Sequence, residues 1–144
     1  ISNVEIMPPV SRTELMNYYG KADILFLHLN DVPAFRRVLP SKIFEYGALG
    51  KPIVAGLSGY SANFIKDHLS YVNIFDPGDH ESACSCILKD NSTKVPLDVV
   101  ANFVKHYSRD TIMNGLAKHI LSIIRVVEDH QGAEHLGFKT SSII

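Results

Sequence analysis

The sequence predicts an α/β domain in which a parallel sheet is covered by helices. Three short stretches, residues 23–28, 51–56 and 72–75, have the near-continuous apolar character of strands buried on both faces. Stretches with helical spacing follow the first two, at residues 41–50 and 61–69. Because parallel neighbours need a crossover connection, which a helix supplies, this alternation favours a parallel sheet.

The chain before these elements predicts a further strand and a helix. The strand is expected at residues 4–7, an apolar stretch closed by two prolines. Ser11 and Glu14 have the Ser-x-x-Glu spacing of a capping box, in which each side chain bonds the backbone N–H of the other residue. The helix that they begin is expected to stop at Gly20, the usual residue for a left-handed end cap.

The carboxyl-terminal part predicts helices and a polar tail. One helix is expected to follow Asp79, and two more to cover residues 96–107 and 109–127. The last of these repeats apolar residues every four positions, which predicts one buried face. That face consists of Ile112, Leu116, Ile120 and Ile124. The predicted domain therefore covers residues 1–127, followed by a loose polar tail at 128–144.

The composition indicates one soluble globular domain of the cytoplasm. The chain has 144 residues, of which 46% are hydrophobic and 20% charged. A net charge of -1 without a run of like charges argues against a nucleic-acid partner. The apolar runs are far shorter than the roughly 20 residues that span a bilayer, so no transmembrane segment is expected. Cys84 and Cys86 have a spacing that suits neither a disulfide nor a zinc site, which favours a reducing compartment.

Neither a metal site nor a hydrolase site is indicated. The seven histidines are scattered singly, and no Gly-x-Ser-x-Gly elbow is present. We therefore expect no metal and no cofactor. The chain opens on Ile without a signal-peptide pattern, so we also expect it to be a portion of a longer protein.

Residues 39–56 carry the most informative chemistry, because they combine a loop, a short helix and a buried strand. In an open parallel sheet, ligands bind beyond the carboxyl ends of the strands, where helix amino termini present N–H groups and partial positive charge. Ser41 is expected to cap the helix and Lys42 to add a cation. Glu45 lies one turn further, where a carboxylate can accept two hydrogen bonds from a vicinal diol. A phosphate and a ribose would satisfy all three residues.

Each of these residues also has an ordinary structural interpretation. Ser41 can be a cap and nothing more, and Lys42 a solvated surface lysine. Glu45 can simply be a carboxylate that favours the positive end of a helix.

One sequence segment is specific enough to indicate a family. It is Pro40-Ser-Lys-Ile-Phe-Glu-Tyr-Gly-Ala-Leu-Gly-Lys-Pro-Ile-Val-Ala. Asn3-Val-Glu-Ile, Ala22-Asp-Ile-Leu-Phe-Leu and Phe75-Asp-Pro-Gly-Asp support it. From residue 3 to about residue 124, the chain resembles the group 1 glycosyltransferases, in which two Rossmann-like domains face each other across a cleft in the GT-B arrangement.

The resemblance implies a partial, Rossmann-like carboxyl-terminal domain of a retaining bacterial glycosyltransferase. Members that look closest move a sugar from a UDP- or GDP-sugar donor onto a lipid-linked saccharide acceptor, in the synthesis of surface polysaccharide such as O-antigen. They work in the cytoplasm or at the inner membrane. The glycine-rich loop of the family would lie upstream, in a missing amino-terminal part, so the chain alone is expected to be inactive.

The resemblance also assigns roles to residues. Glu45 matches the second acid of the Glu-x7-Glu motif, which holds the ribose hydroxyls of the nucleotide. Arg37 stands where the first acid should fall. Either the loop at residues 31–39 brings another group to the sugar, or this branch does not use that acid.

Two further candidates end or follow the predicted strands. His28 closes the strand at residues 23–28 on the ligand side and is a candidate donor contact. Residues 56–59 follow the next strand at the same rim, where the turn before Gly59 is either a phosphate contact or a plain turn.

Two other functions remain open. One is a nucleotide-sugar epimerase of the same two-domain shape, and the other is a non-catalytic nucleotide-binding module. The resemblance also implies that residues 23–28 pair in parallel with 52–55 and that the strand at 4–7 does not lie beside them. Without its central strand, the chain should expose sheet edges and associate.

Overall fold

The computed structural model describes residues 2–89 and 95–136, with side chains described as far as residue 124. In chain order the elements are α1 (Arg12–Lys21), β1 (Leu25–His28), a 3₁₀ helix (Pro33–Arg37), α2 (Lys42–Gly47), β2 (Ile53–Gly56), α3 (Tyr60–His68), β3 (Val72–Phe75), α4 (His80–Leu88), α5 (Leu97–Tyr107) and α6 (Arg109–Leu136). Packing divides the chain into two compact units, Ile1–Val104 and Lys105–Ile144.

The first unit contains a three-stranded parallel sheet in the order β1-β2-β3. This confirms the predicted α/β class and the predicted pairing of residues 23–28 with 52–55. The register places His28, Gly56 and Phe75 side by side at the carboxyl edge of the sheet. Val54 and Ala55 in the central strand have no exposed surface, as expected for a strand covered on both faces. The same prediction is wrong for the two outer strands, which lie at the edges of the sheet: Phe26 in β1 is 48% exposed, and Phe75 is the one buried residue of β3.

The strand predicted at residues 4–7 is wrong. The segment has no strand structure, and its side chains lie in solvent, with Val4 58% and Ile6 93% exposed. A strand exists only through hydrogen bonds to a neighbouring strand, and within the described residues this segment pairs with none. The resemblance implied that a strand at residues 4–7 would not lie beside β1, and the segment forms no ladder with β1.

Helix α1 begins as predicted but ends differently. The Ser11 hydroxyl accepts a bond from the Glu14 backbone N–H at 3.3 Å, and Glu14 Oε2 accepts from the Ser11 N–H at 3.0 Å, which completes the capping box. The predicted left-handed stop at Gly20 is wrong, because the helix continues to Lys21 and is followed by an extended Ala22. Lys51 Nζ instead donates to the carbonyl oxygens of Gly20 at 2.8 Å and Ala22 at 2.6 Å. A side chain from the entrance of β2 therefore satisfies carbonyls that the end of a helix leaves free.

Aromatic rings join α2, α3 and α5. The Phe44 ring centroid lies 5.7 Å from that of Phe64 and 6.4 Å from that of Phe103. Phe103 is 5% exposed, and its ring covers Gly47, where an added Cβ would lie 2.5 Å from the ring. The predicted helix at residues 41–50 is shorter, because it ends at Gly47 and the turn that follows ends at Gly50 with φ of 62°.

The second unit consists of the end of α5 and the long helix α6. The apolar face predicted to be buried is half exposed, for example 50% at Ile112 and 49% at Leu116, so that prediction is wrong. Its four-residue repeat makes the helix amphipathic, but a repeat alone does not supply a partner that covers it. Helix α6 also continues to Leu136, past the predicted start of a loose tail at residue 128. Glu, Gln, Ala and Leu in this polar stretch are all good helix formers.

Parts of two predictions lie outside the described residues. They are the connection at residues 90–94, between the helix expected after Asp79 and that expected at 96–107, and the end of the predicted tail at residues 137–144. Among the helices that the structure describes, none combines the length and the apolar character needed to cross a membrane.

Candidate functional site

Aromatic rings gather at the carboxyl edge of the sheet. The His28 ring lies 6.0 Å from the Phe75 ring and 6.5 Å from the Phe26 ring, nearly parallel to both. Gly56 lies between β1 and β3, and a Cβ at this position would come 2.6 Å from the Phe75 ring. The missing side chain thus lets rings from the two outer strands meet over the central one. His28 is exposed, and its role as a donor contact stays a prediction.

The turn before α3 lies against the 3₁₀ helix. Gly59 has φ of 65°, and a Cβ there would lie 2.9 Å from the Cβ of Arg36 and closer still to its carbonyl oxygen. The hydroxyl of the buried Ser61 donates to the Val38 carbonyl and ties the same two segments together. Glycine is therefore required here for a left-handed conformation and a close backbone approach. These contacts account for Gly59 as a turn residue, and phosphate contact at this turn stays a prediction.

The loop predicted at residues 31–39 contains the short 3₁₀ helix. Arg36 pairs with Asp31 at 3.0 Å, and both side chains are more than half exposed, so the pair contributes little to stability. Arg37 is the last residue of the 3₁₀ helix and is exposed. Arg37, the residue at the position where the resemblance would place an acid, is thus a surface cation.

The prediction that the Ser41 side chain caps α2 is wrong. Ser41 has a helical backbone, with φ of -58° and ψ of -26°, and its side chain makes no capping bond. The carbonyls of Pro40 and Ser41 accept bonds from the N–H groups of Ile43 and Phe44, each at 3.1 Å. Because this tight turn already satisfies those donors, the hydroxyl has no capping role.

Lys42 and Glu45 lie together with two tyrosines in a group that we name the Lys42 cluster: Tyr19, Lys42, Glu45 and Tyr46. Lys42 Nζ donates to Glu45 Oε2 at 2.8 Å and to the Tyr19 hydroxyl at 2.9 Å. The Tyr19 ring meets the Tyr46 ring edge to face, with centroids 5.4 Å apart. Tyr19 is 8% exposed, so the cluster has a buried base on α1 and a part-exposed upper side on α2.

The electrostatics of the cluster keep Lys42 charged. The hydrogen bond with Glu45, followed by that with Tyr19, raises the pKa of Lys42 above its ordinary value. Burial raises the pKa of Tyr46, and the neighbouring Tyr19 adds to this effect. At neutral pH Lys42 is therefore an ammonium group and Tyr46 a protonated phenol. The exposed fractions of the two paired side chains are 39% for Lys42 and 33% for Glu45.

Lys42 and Glu45 were both expected at this site from the sequence, whereas Tyr19 and Tyr46 were not. Tyr19 belongs to the apolar spacing of α1, which indicates packing and carries no sign of a bond to a lysine 23 positions later. In the part of the chain whose side chains are described, no three His, Cys, Asp or Glu residues lie close enough to hold a metal ion.

The chain was also compared with known proteins. Comparisons with protein-family models, with curated proteins and with solved structures found no match to this chain.

Proposed function

We propose that this chain is the donor-binding part of a glycosyltransferase with two Rossmann-like domains, and that Glu45 holds the ribose of a nucleotide sugar. The observation that carries the proposal is the position and the exposure of the Glu45 side chain. Its carboxylate lies on α2, the first α-helix after the carboxyl end of β1, and remains one-third exposed. Carboxyl ends of parallel strands are the usual place for ligands in sheets of this kind.

The proposed reaction transfers the sugar of a UDP- or GDP-sugar to a lipid-linked saccharide. A hydroxyl oxygen of the acceptor forms a bond to the anomeric carbon and gives up its proton to the leaving diphosphate, while the bond from that carbon to the nucleotide diphosphate breaks. The leaving diphosphate gains negative charge, which N–H groups and cations stabilise. A second domain of the same enzyme would supply the rest of the active site.

The test is titration of UDP and GDP into the wild-type protein and into Glu45→Gln. The substitution keeps the shape of the side chain but removes its charge and one acceptor. Because hydrogen bonds to charged groups contribute about 1.5–3 kcal/mol each, affinity should fall about tenfold or more. The melting temperature should change little, since Glu45 is part-exposed.

Glu81→Gln is the matched control. Glu81 also lies in the first turn of a helix, α4, so it reports any general effect of removing a helix-end carboxylate. Its substitution should leave nucleotide affinity unchanged. Equal affinity in the wild type and in Glu45→Gln, or no binding of either nucleotide to the wild type, would refute the proposed function.

A further inference from the structure

The ammonium group of Lys42 is shared between two acceptors of the protein itself. One N–H bond goes to Glu45 within α2, and a second goes to the Tyr19 hydroxyl on α1. An ammonium group has three donors, so two of them are engaged without any ligand. This geometry differs from that of a surface lysine whose head group is free to follow a phosphate.

Pairing also weakens the attraction of Lys42 for an anion. At 2.8 Å the charges of Lys42 and Glu45 form a neutral pair, and a nearby phosphate interacts with this pair far less strongly than with an isolated cation. Without Lys42, in contrast, the Glu45 carboxylate would stand uncompensated beside a bound diphosphate and repel it. Lys42 would therefore influence nucleotide binding through Glu45, since each side chain neutralises the charge of the other.

The rest of the cluster fixes this arrangement in place. Tyr19 is buried, and its ring is held by the edge-to-face contact with Tyr46. The Tyr19 hydroxyl is thus a fixed acceptor that anchors the Lys42 head group. Lys42 in turn engages Oε2 of Glu45, which sets the orientation of the carboxylate and leaves lone pairs on both oxygens for further donors.

We propose that Lys42 and Tyr19 are positioning residues that hold the Glu45 carboxylate for a vicinal diol, and that Lys42 is not a phosphate ligand. The inference rests on the proposed function, because it concerns how the same site holds the nucleotide. It assigns a role to Tyr19, and it changes the role that the sequence predicted for Lys42.

A double-mutant cycle tests this assignment. Lys42→Met is made in the wild-type protein and in Glu45→Gln, and the ligand is UDP or GDP, whichever binds the wild type more tightly. Because coupling between contacting residues is commonly about 1 kcal/mol or more, Lys42→Met should weaken binding about fivefold or more when Glu45 is present. In the Glu45→Gln background it should change affinity by less than about twofold, within the scatter of independent sites. Equal losses in the two backgrounds would show that Lys42 binds phosphate directly and would overturn the inference.

A ligand without phosphate gives a second readout. The matching nucleoside, uridine or guanosine, is titrated by NMR into the wild type and Lys42→Met. Loss of nucleoside affinity in the variant supports the inference, because a phosphate ligand would leave nucleoside binding unchanged. Lys66→Met, which removes an exposed lysine on α3, is the control for loss of charge and should bind like the wild type.

Tyr19→Phe keeps the test decisive if Lys42→Met does not fold. This variant retains the ring contact with Tyr46 and removes only the hydroxyl that anchors Lys42. It should weaken binding in the same direction as Lys42→Met, by a smaller factor, and only when Glu45 is present. Unchanged binding in a folded Tyr19→Phe protein would overturn the role of Tyr19. Failure of the wild type to bind UDP or GDP would instead refute the proposed function and the inference together.

Discussion

The glycine that ends the turn after α2 provides the sharpest test of how α5 packs. Gly50 has φ of 62°, and a Cβ at this position would lie 2.7 Å from a methyl carbon of Val100. Gly50→Ala therefore combines two costs. A left-handed backbone costs an L-residue about 1–2 kcal/mol, and the forced contact with the half-buried Val100 side chain costs about 1–3 kcal/mol more. We expect a loss of about 2–5 kcal/mol in the free energy of unfolding, the sum of these two ranges.

Two other glycines separate the two costs. Gly78 also has positive φ, 91°, but nothing lies within 4 Å of its added Cβ, so Gly78→Ala should cost only the backbone part, about 1–2 kcal/mol. Gly20 lies in α1 with nothing within 4 Å, so Gly20→Ala should stabilise the protein by about 0.5–1 kcal/mol.

Urea unfolding, followed by circular dichroism, measures all three variants against the wild type. The expected order of stability is Gly20→Ala, wild type, Gly78→Ala and Gly50→Ala, with similar dependence on urea concentration throughout. If Gly50→Ala costs no more than Gly78→Ala, Val100 does not lie on this turn in solution. The described packing of α5 would then be refuted.

Three further substitutions, one of them a control, test the core and its response to pH. Phe103→Ala removes a ring that is 5% exposed and should lower the free energy of unfolding in urea by about 3–5 kcal/mol. Val104→Ala, at the exposed neighbouring residue, should lower it by less than about 1 kcal/mol. Similar losses for both variants would contradict the described packing of Phe103. Burial raises the pKa of Tyr71 to about 12, and its protonated hydroxyl donates to the Gly47 carbonyl at 2.6 Å. The contribution of Tyr71 to stability is therefore complete below pH 10.0 and is lost as the pH rises towards 12. Because Tyr71 is only half buried, this loss of stability should be about 1 kcal/mol. Thermal melts should show it as a fall in the melting temperature of the wild type over this pH range, and Tyr71→Phe should lack this contribution.

The sheet was predictable because its signal is local. Continuous apolar stretches located all three strands, although burial on both faces is found in β2, at Val54 and Ala55, and not along β1 or β3. The capping box of Ser11 and Glu14 was predictable for the same reason, since its bonds join residues three positions apart. The strand at residues 4–7 was not, because a strand depends on a neighbour that local sequence does not specify.

The candidate site shows the same division between local and tertiary causes. Lys42 and Glu45 were expected at one site as separate ligand contacts, whereas the structure pairs them with each other, a contact that their three-residue spacing on one helix allows. Ser41 has a residue type that favours capping, but its helical backbone removes that role. The bond from Lys42 to Tyr19 depends on how α1 lies against α2, and no periodicity in the sequence encodes this contact.

The bond network of Lys51 has a consequence for how the first unit opens. Lys51 stands at the entrance to β2, and its ammonium group closes the last turn of α1 through the carbonyls of Gly20 and Ala22. The end of α1 is therefore complete only when the central strand is in place. Detachment of β2 would leave both carbonyls without this donor, so we expect the end of α1 to fray together with the start of β2 in native-state fluctuations.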